Sequence, residues 1–209
     1  MPSAARRLRP RLLPKQQRSA ETRARILEAA AQVFAAHGDV KGTTNRIAEA
    51  AGVSVGSVYQ YFPNKDAILV ELARAHVREG EAIILERFAD PDLPPDLEGR
   101  VRVFVEAAVA NHIDMPRLHE VIFQEAPWPP ELVAELRAFE ERTIAAAEAA
   151  LAADPSVRAP DLRVAATIVV GTIEALTHRF VLAQPDRLDV PAFVDEMVAL
   201  VTRYLTAAT

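Results

Sequence analysis

The sequence predicts an all-α protein, and three observations carry that expectation. Fifteen prolines fall in clusters and leave long proline-free stretches at 15–62, 64–90, 96–115, 131–154, 161–184 and 192–209. Alanine, leucine, glutamate and arginine dominate those stretches, and all four favour helix. Strand-like alternation is confined to Val101-Arg102-Val103-Phe104-Val105, and the alanine-rich continuation from Glu106 to Ala110 returns that segment to helix.

Residues 1–18 hold three prolines and six basic residues with no usable period, so a disordered basic arm is expected there. A first helix follows over about Ser19 to His37. Ile26, Leu27, Ala30, Val33 and Phe34 fall on one of its faces. Gly38 stands just past its end, where a left-handed residue closes a helix at little cost.

The segment from Thr43 to Lys65 is the most informative. Thr43 or Thr44 can cap a short helix running to Ala51, Gly52 supplies a sharp turn, and Ser54 can cap a second short helix reaching about Gln60. Ile47, Val53 and Val58 are placed to point inward, and Ala48 is small enough to let the two helices approach. This is the pattern of a helix-turn-helix, whose second helix enters the major groove of DNA. Thr43, Thr44, Ser54, Ser57, Tyr59, Tyr61 and Lys65 are then left outward as donors to phosphate oxygens. Helix N-termini, including a third at Asn64, add backbone N–H groups for anions. Asn45, Arg46 and Gln60 can reach base edges. Val55 and the bare backbone of Gly56 suit close approach to a thymine methyl.

These residues resemble the DNA-binding domain of TetR/AcrR-type transcriptional regulators. The resemblance rests on Thr43, Ile47-Ala48, Ala51-Gly52-Val53-Ser54 and the run Gly56-Ser57-Val58-Tyr59-Gln60-Tyr61-Phe62-Pro63-Asn64-Lys65, with His37-Gly38 closing the leading helix. It covers about residues 21–72. Two positions depart from the pattern. Asp39 replaces an apolar residue, whose packing role falls to Val40, and Arg46 replaces an acidic residue at the third helical position.

The domains expected are therefore the arm at 1–18, a three-helix helix-turn-helix domain at 19–65 and a six-helix ligand-binding and dimerisation domain at 66–209. The six helices are read at 65–89, 96–113, 116–126, 130–153, 161–183 and 191–206. The resemblance implies that the first of them transmits ligand-driven movement, and that the last two form a four-helix bundle with a second copy of the chain. It also implies binding to double-stranded operator DNA, repression, and release by a small effector. The sequence supports the homodimer independently. On 191–206, Phe193, Met197, Leu200 and Tyr204 point in one direction, and Val194, Val198, Val201 and Leu205 in a second about 100° away. That arc is wider than one core requires.

On 161–183, Thr167, Gly171, Glu174 and His178 share a polar stripe, which fits either a ligand cavity or a hydrogen-bonded strip at the dimer interface. Other candidates for the ligand site are Phe104, Asn111, His112, Phe123, Trp128, Phe139 and Thr143, with core packing as the alternative for each aromatic. Trp128 stands in the rigid run Pro127-Trp128-Pro129-Pro130. An apolar lining suggests a hydrophobic or amphipathic effector. His112 and His119 are separated by the bend at Pro116, so no metal site is expected, and no cofactor is expected either.

Length, charge and composition set the remaining bounds. The chain has 209 residues, half hydrophobic and a quarter charged, the balance of a globular protein of one or two domains. Its net charge of −5 divides into +7 over residues 1–65 and −12 over residues 66–209, which suggests a polyanion partner at one end. There is no cysteine, so disulfides and thiolate chemistry are excluded and a reducing cytoplasm is the compartment expected. The uncharged stretch Val164 to Ile173 is ten residues long, about half of what a membrane span needs. Arg6, Arg7, Arg9 and Arg11 break any secretory core. No G-x-S-x-G, phosphate-cradling glycine loop or H-E-x-x-H occurs, so the chain does not read as an enzyme. Glu174 and His178 form at most an acid–base pair. Two other readings stay open: a DNA-binding regulator without a small effector, and a helical enzyme bearing a DNA-binding domain.

Overall fold

The computed structural model describes the backbone of residues 17–113, 116–183 and 189–207, and side chains over the same residues apart from 17, 18, 39, 40 and 181–183. Among the described residues there are nine helices and no strand: α1 Gln17–Lys41, α2 Thr44–Ala50, α3 Val55–Tyr61, α4 Lys65–Ala89, α5 Leu97–Ile113, α6 Pro116–Gln124, α7 Pro130–Ala152, α8 Leu162–Ala183 and α9 Val190–Thr206. None of these helices is long and apolar enough to cross a membrane.

The boundaries follow the caps. Residues 1–16 of the expected arm lie outside the described residues, while Gln17 and Arg18 already belong to α1, two residues ahead of the expected start. Gly38 breaks α1 with φ 69° and ψ −178°, a conformation for which only glycine is unstrained. Lys41 follows on a final half-turn. The side chains of Asp39 and Val40, on which the departure from the family pattern turned, are outside those described. Gly42 is required for space: a Cβ there would lie 2.4 Å from the ring of the fully buried Phe34. Asp189 caps α9 by accepting from the Ala192 amide at 3.1 Å, with Pro191 in the first turn.

The chain forms two compact units. Of the described residues, the first comprises 17–76 together with 116–134, and the second comprises 77–113, 135–183 and 189–207. The units meet within α4 and α7 rather than at a helix end. The first unit adds the start of α4, all of α6 and the first residues of α7, because their apolar faces complete its core. Ile68 and Leu69 from α4, Val121 and Ile122 from α6 and Leu132 from α7 are buried in one cluster with Ile26, Phe34, Ile47, Val58 and Phe62. Arg23 of α1 pairs with Glu71 of α4, and Glu71 also accepts from Arg74 at 2.5 Å. The Arg23 guanidinium lies 5.4 Å from the centre of the Phe62 ring.

The second unit is built around α5. Leu97, Val101, Val105 and Val109 recur on one α5 face and meet Ile144 and Leu151 of α7, Ala165 and Ala166 of α8, and Val194, Val198, Val201 and Leu205 of α9. One of the two directions read on α9 is thus the core face. The other is divided: Met197 is buried in the same cluster and Phe193 packs against it, while Leu200 and Tyr204 are 50 % and 40 % exposed. On α8, Val164 and Ile168 are 51 % and 45 % exposed, and they adjoin Gly171, whose missing Cβ would meet nothing within 4 Å.

A polar clasp ties the loop after α7 to α5. Asp154 is buried, accepts from the Ser156 amide at 2.8 Å and from its hydroxyl at 2.6 Å, and pairs with Arg100. Hydrogen bonds from Ser156 hold its carboxyl below the ordinary value of 3.8 against a smaller opposing effect of burial, with further help from Arg100. A depressed value means that the ionised carboxylate stabilises the fold above pH 3.8, and that this contribution is lost as pH falls through the folded value. Asp154→Asn is expected to lower the melting temperature by about 2–6 °C at pH 7. The gap to the wild type should close as the pH is taken below 4 in thermal melts followed by circular dichroism.

Candidate nucleic-acid interface and effector region

The α2–α3 turn is fixed by its backbone. Gly52 has φ 63°, its amide bonds the Glu49 carbonyl at 3.1 Å, and the Val53 amide bonds the Ala48 carbonyl at 3.0 Å. That pair of bonds is a Schellman closure with glycine at its left-handed position. Thr43 caps α2 by accepting from the Arg46 amide at 3.4 Å, and Ser54 caps α3 by accepting from the Ser57 amide at 3.0 Å. Asn64 caps α4 through the Ala67 amide at 2.9 Å. Ile47, Ala48 and Val58 are buried as expected, and Val53 is half-buried on the same core.

The outward residues fall into distinct settings. Thr43, Asn45, Arg46, Ser54, Gly56, Tyr59 and Gln60 are exposed, and Thr44, Ser57 and Lys65 are half-exposed. Thr44 and Tyr59 share a hydroxyl–hydroxyl bond of 3.2 Å, which ties the start of α2 to the outer face of α3. Ser54 and Ser57 share another at 2.8 Å. The Arg46 guanidinium donates to the Lys41 carbonyl at 3.4 Å, so it is carried on the turn before α2. Val55 is half-buried against the core. Gly56 is exposed, and a Cβ there would come only as close as 3.7 Å to the Ser54 hydroxyl, so nothing within the chain requires glycine.

Tyr61 is a correction. It was expected to point outward to phosphates, but its ring is 9 % exposed in the core, and its hydroxyl meets that of Ser19 at 3.1 Å. Tyr61 stands three residues after the fully buried Val58, which places both on the same face of α3.

The effector candidates divide between the two units. Phe123 and Trp128 belong to the first, with ring centres 5.5 Å apart, and the Trp128 indole donates to the Ile122 carbonyl at 3.2 Å. His76 and His119 pack edge-to-face beside them at 4.2 Å. His76 was not read as part of any site, because nothing local in α4 signals its neighbours on α6. The other candidates belong to the second unit. Phe104 packs on Phe88 at 4.2 Å, and the Asn111 amide fills the space left by the missing side chain of Gly80. Phe139 is half-buried, while Thr143 is buried with a hydroxyl that has no hydrogen-bond partner among the described residues.

The polar stripe of α8 also splits. Thr167 and Gly171 lie on the exposed face with Val164 and Ile168, and the Thr167 hydroxyl donates back to the Arg163 carbonyl. Glu174 and His178 instead join His112 of α5. His112 Nε2 lies 2.9 Å from His178 Nε2, and His178 Nε2 lies 2.9 Å from Glu174 Oε1. His112 is buried, and its Nδ1 donates to the Ala108 carbonyl at 2.6 Å. Burial holds its imidazole below the ordinary 6.5, aided by His178, while Glu174 and the Ala108 carbonyl oppose the shift.

Two family models match the chain. "Tetracyclin repressor-like, C-terminal domain" covers residues 96–205, and "Bacterial regulatory proteins, tetR family" covers residues 26–72. The transcriptional regulator TtgR of Pseudomonas putida is 40 % identical over 75 residues, which is 34 % of this chain and 36 % of TtgR. Matches to the curated relatives span between 34 % and 54 % of those proteins' lengths. Among solved structures, a bacterial regulatory protein in the tetR family from Rhodococcus RHA1 has a TM-score of 0.68 at 24 % identity, covering 90 % of this chain and 99 % of that one. The transcriptional regulator FadR from Bacillus subtilis, solved in complex with stearoyl-CoA, has a TM-score of 0.65 at 20 % identity, covering 86 % and 97 %. With the C-terminal model alone spanning more than half of its residues, the chain belongs to the TetR family of bacterial regulatory proteins.

Proposed function

We propose that the chain is a homodimeric repressor that reads operator DNA with α2 and α3 and leaves it when a small amphipathic effector binds. The observation that carries the DNA reading is the pairing of a rigid Schellman turn with an outward surface of short polar side chains and an unshielded glycine. Thr43, Thr44, Ser54, Ser57, Tyr59 and Lys65 serve phosphates, while Asn45, Arg46 and Gln60 serve base edges. Tyr61 acts from inside, holding α3 to α1 through Ser19. The effector reading is supported by the neighbour solved with stearoyl-CoA, an acyl chain on a polar carrier. The dimer reading is supported by Val164, Ile168, Leu200 and Tyr204, apolar side chains left open on the two C-terminal helices, with Gly171 allowing close helix approach. On this reading the repressor works in the cytoplasm. Selection of a binding site from random DNA, followed by a screen of long-chain acyl thioesters and other amphipaths for release, tests the whole proposal. A selected site that no amphipath releases would favour a regulator without a small effector.

Four substitutions probe its parts. Lys65→Ala should weaken binding to the selected site and to scrambled DNA by similar factors, and lower the slope of log K against log salt by ~1 per subunit. Asn45→Ala should narrow the gap between the two DNAs by ~1–3 kcal/mol. Paired salt titrations measure both, and the reverse pattern would reverse the assignment. Gly56→Ala should raise stability by up to about 1 kcal/mol in denaturant melts, because alanine is the better helix former and the site is roomy. The same substitution should reduce operator affinity about tenfold, since the added methyl meets DNA rather than protein. Leu200→Glu should leave a folded chain, the residue being half exposed, yet halve the mass seen by light scattering, because a buried unpaired charge costs several kcal/mol at an interface.

A further inference from the structure

We propose that His112, Glu174 and His178 form a binding site for a divalent transition-metal ion, held by two imidazole Nε2 atoms and one carboxylate oxygen with a coordination position left open. The three atoms form a triangle with sides of 2.9, 2.9 and 3.9 Å. Such a triangle has a circumradius of about 2.0 Å, so an ion slightly above its plane is ~2.0–2.1 Å from all three donors, the bond length of zinc to imidazole and carboxylate. The three distances therefore put all the donors within bonding reach of one ion.

The surroundings fit the same assignment. A ligating histidine commonly donates its second ring N–H to a carbonyl, which fixes the tautomer and aims the other nitrogen at the metal. His112 has that bond, from Nδ1 to the Ala108 carbonyl at 2.6 Å, so its Nε2 carries the lone pair that faces the other two donors. Glu174 and His178 are four residues apart on α8 and project from one face. In a purely hydrogen-bonded cluster, the Glu174 carboxylate and His112 Nε2 must compete for the one proton on His178 Nε2. A cation in its place is bound by all three lone pairs at once, the displaced proton passing to His178 Nδ1 or to solvent. Two nitrogens and one carboxylate suit zinc, iron, nickel or copper rather than calcium or magnesium. The Glu174 side chain is 56 % exposed, which gives an ion a path in and leaves room for water or an exogenous donor as a further ligand.

Metal binding is measurable without DNA, so the site stands or falls independently of the regulatory reading. The full chain, free of affinity tags and stripped with a chelator, would be titrated with Co2+ by absorption spectroscopy and then challenged with Zn2+. The expected result is one Co2+ per chain, with the ligand-field bands of four- or five-coordinate cobalt, displaced by Zn2+. Glu174→Gln and His178→Asn should each weaken binding at least about tenfold while the helical circular dichroism is kept. His37→Asn, on the exposed end of α1, should leave binding unchanged. Absence of saturable binding of both ions would overturn the proposal, as would affinity unchanged in both site variants or lost equally in His37→Asn. In each of those cases the three residues are a hydrogen-bonded cluster only.

Discussion

Everything the outward surface of α2 and α3 presents depends on one constraint: the two helices are seven residues each, too short to hold helical structure by themselves. Their order comes from burying one apolar edge apiece, Ile47 and Ala48 on α2 and Val58 and Tyr61 on α3, into a core supplied by α1, α4 and α6. The Schellman closure at Gly52 then fixes the angle between them, since its two backbone bonds allow only one exit direction for the chain. With one side of each helix committed to the core and the turn set, the residues that remain outward are determined. The reading surface is what the packing leaves over.

The same economy organises the second compact unit. A helix that served one core would need a single apolar stripe. On α9, Val194, Val198, Val201 and Leu205 meet α5 and its neighbours, and Leu200 and Tyr204 point elsewhere. On α8, Ala165 and Ala166 pack inward, while Val164, Ile168 and Gly171 face outward. Ala165 and Ala166 let α8 approach the core closely, Val169, Val170 and Ile173 pack beside them, and Val164 and Ile168 are left exposed.

Local chemistry was legible in the sequence, and distant convergence was not. The caps at Thr43, Ser54 and Asn64 and the turn at Gly52 are each decided within four residues, and they stand where spacing put them. Helix limits after the first helix held to within a residue or two for the same reason, since proline and cap residues act on their immediate neighbours, whereas α1 resumes past Gly38 and ends at Lys41, four residues beyond the expected end. Tyr61 was misplaced although the signal was present: its spacing from Val58 marks a core position, and its hydroxyl drew attention to phosphate instead. The division into compact units could not be read, because α4 and α7 run through both of them without a break in their helical pattern. The approach of His112 to Glu174 and His178 spans more than sixty residues, and only the fold brings α5 and α8 together there. On the sequence, His112 stands near His119 across the bend at Pro116, while Glu174 and His178 belong to a stripe on another helix, so nothing local links the three.

Charge adds a last constraint on how the reading surface can work. Of the +7 carried by residues 1–65, +5 comes from Arg6, Arg7, Arg9, Arg11 and Lys15, which leaves the helical part at only +2. Within that part, Arg23 is committed to Glu71 and to the Phe62 ring, and Arg46 is anchored on the Lys41 carbonyl. On the proposed function, the folded reader would therefore have few cations with which to displace counterions, and its grip on phosphate would rest largely on hydroxyls and helix-start amides, whose contribution varies little with salt. Those donors act only at contact distance and in one orientation. On the proposed function, long-range attraction would fall instead to the N-terminal arginines, since residues 66–209 carry −12. On that proposal attraction and alignment are separated along the chain: net charge would bring one end to the duplex, and the short, rigid α2–α3 surface would decide whether it stays.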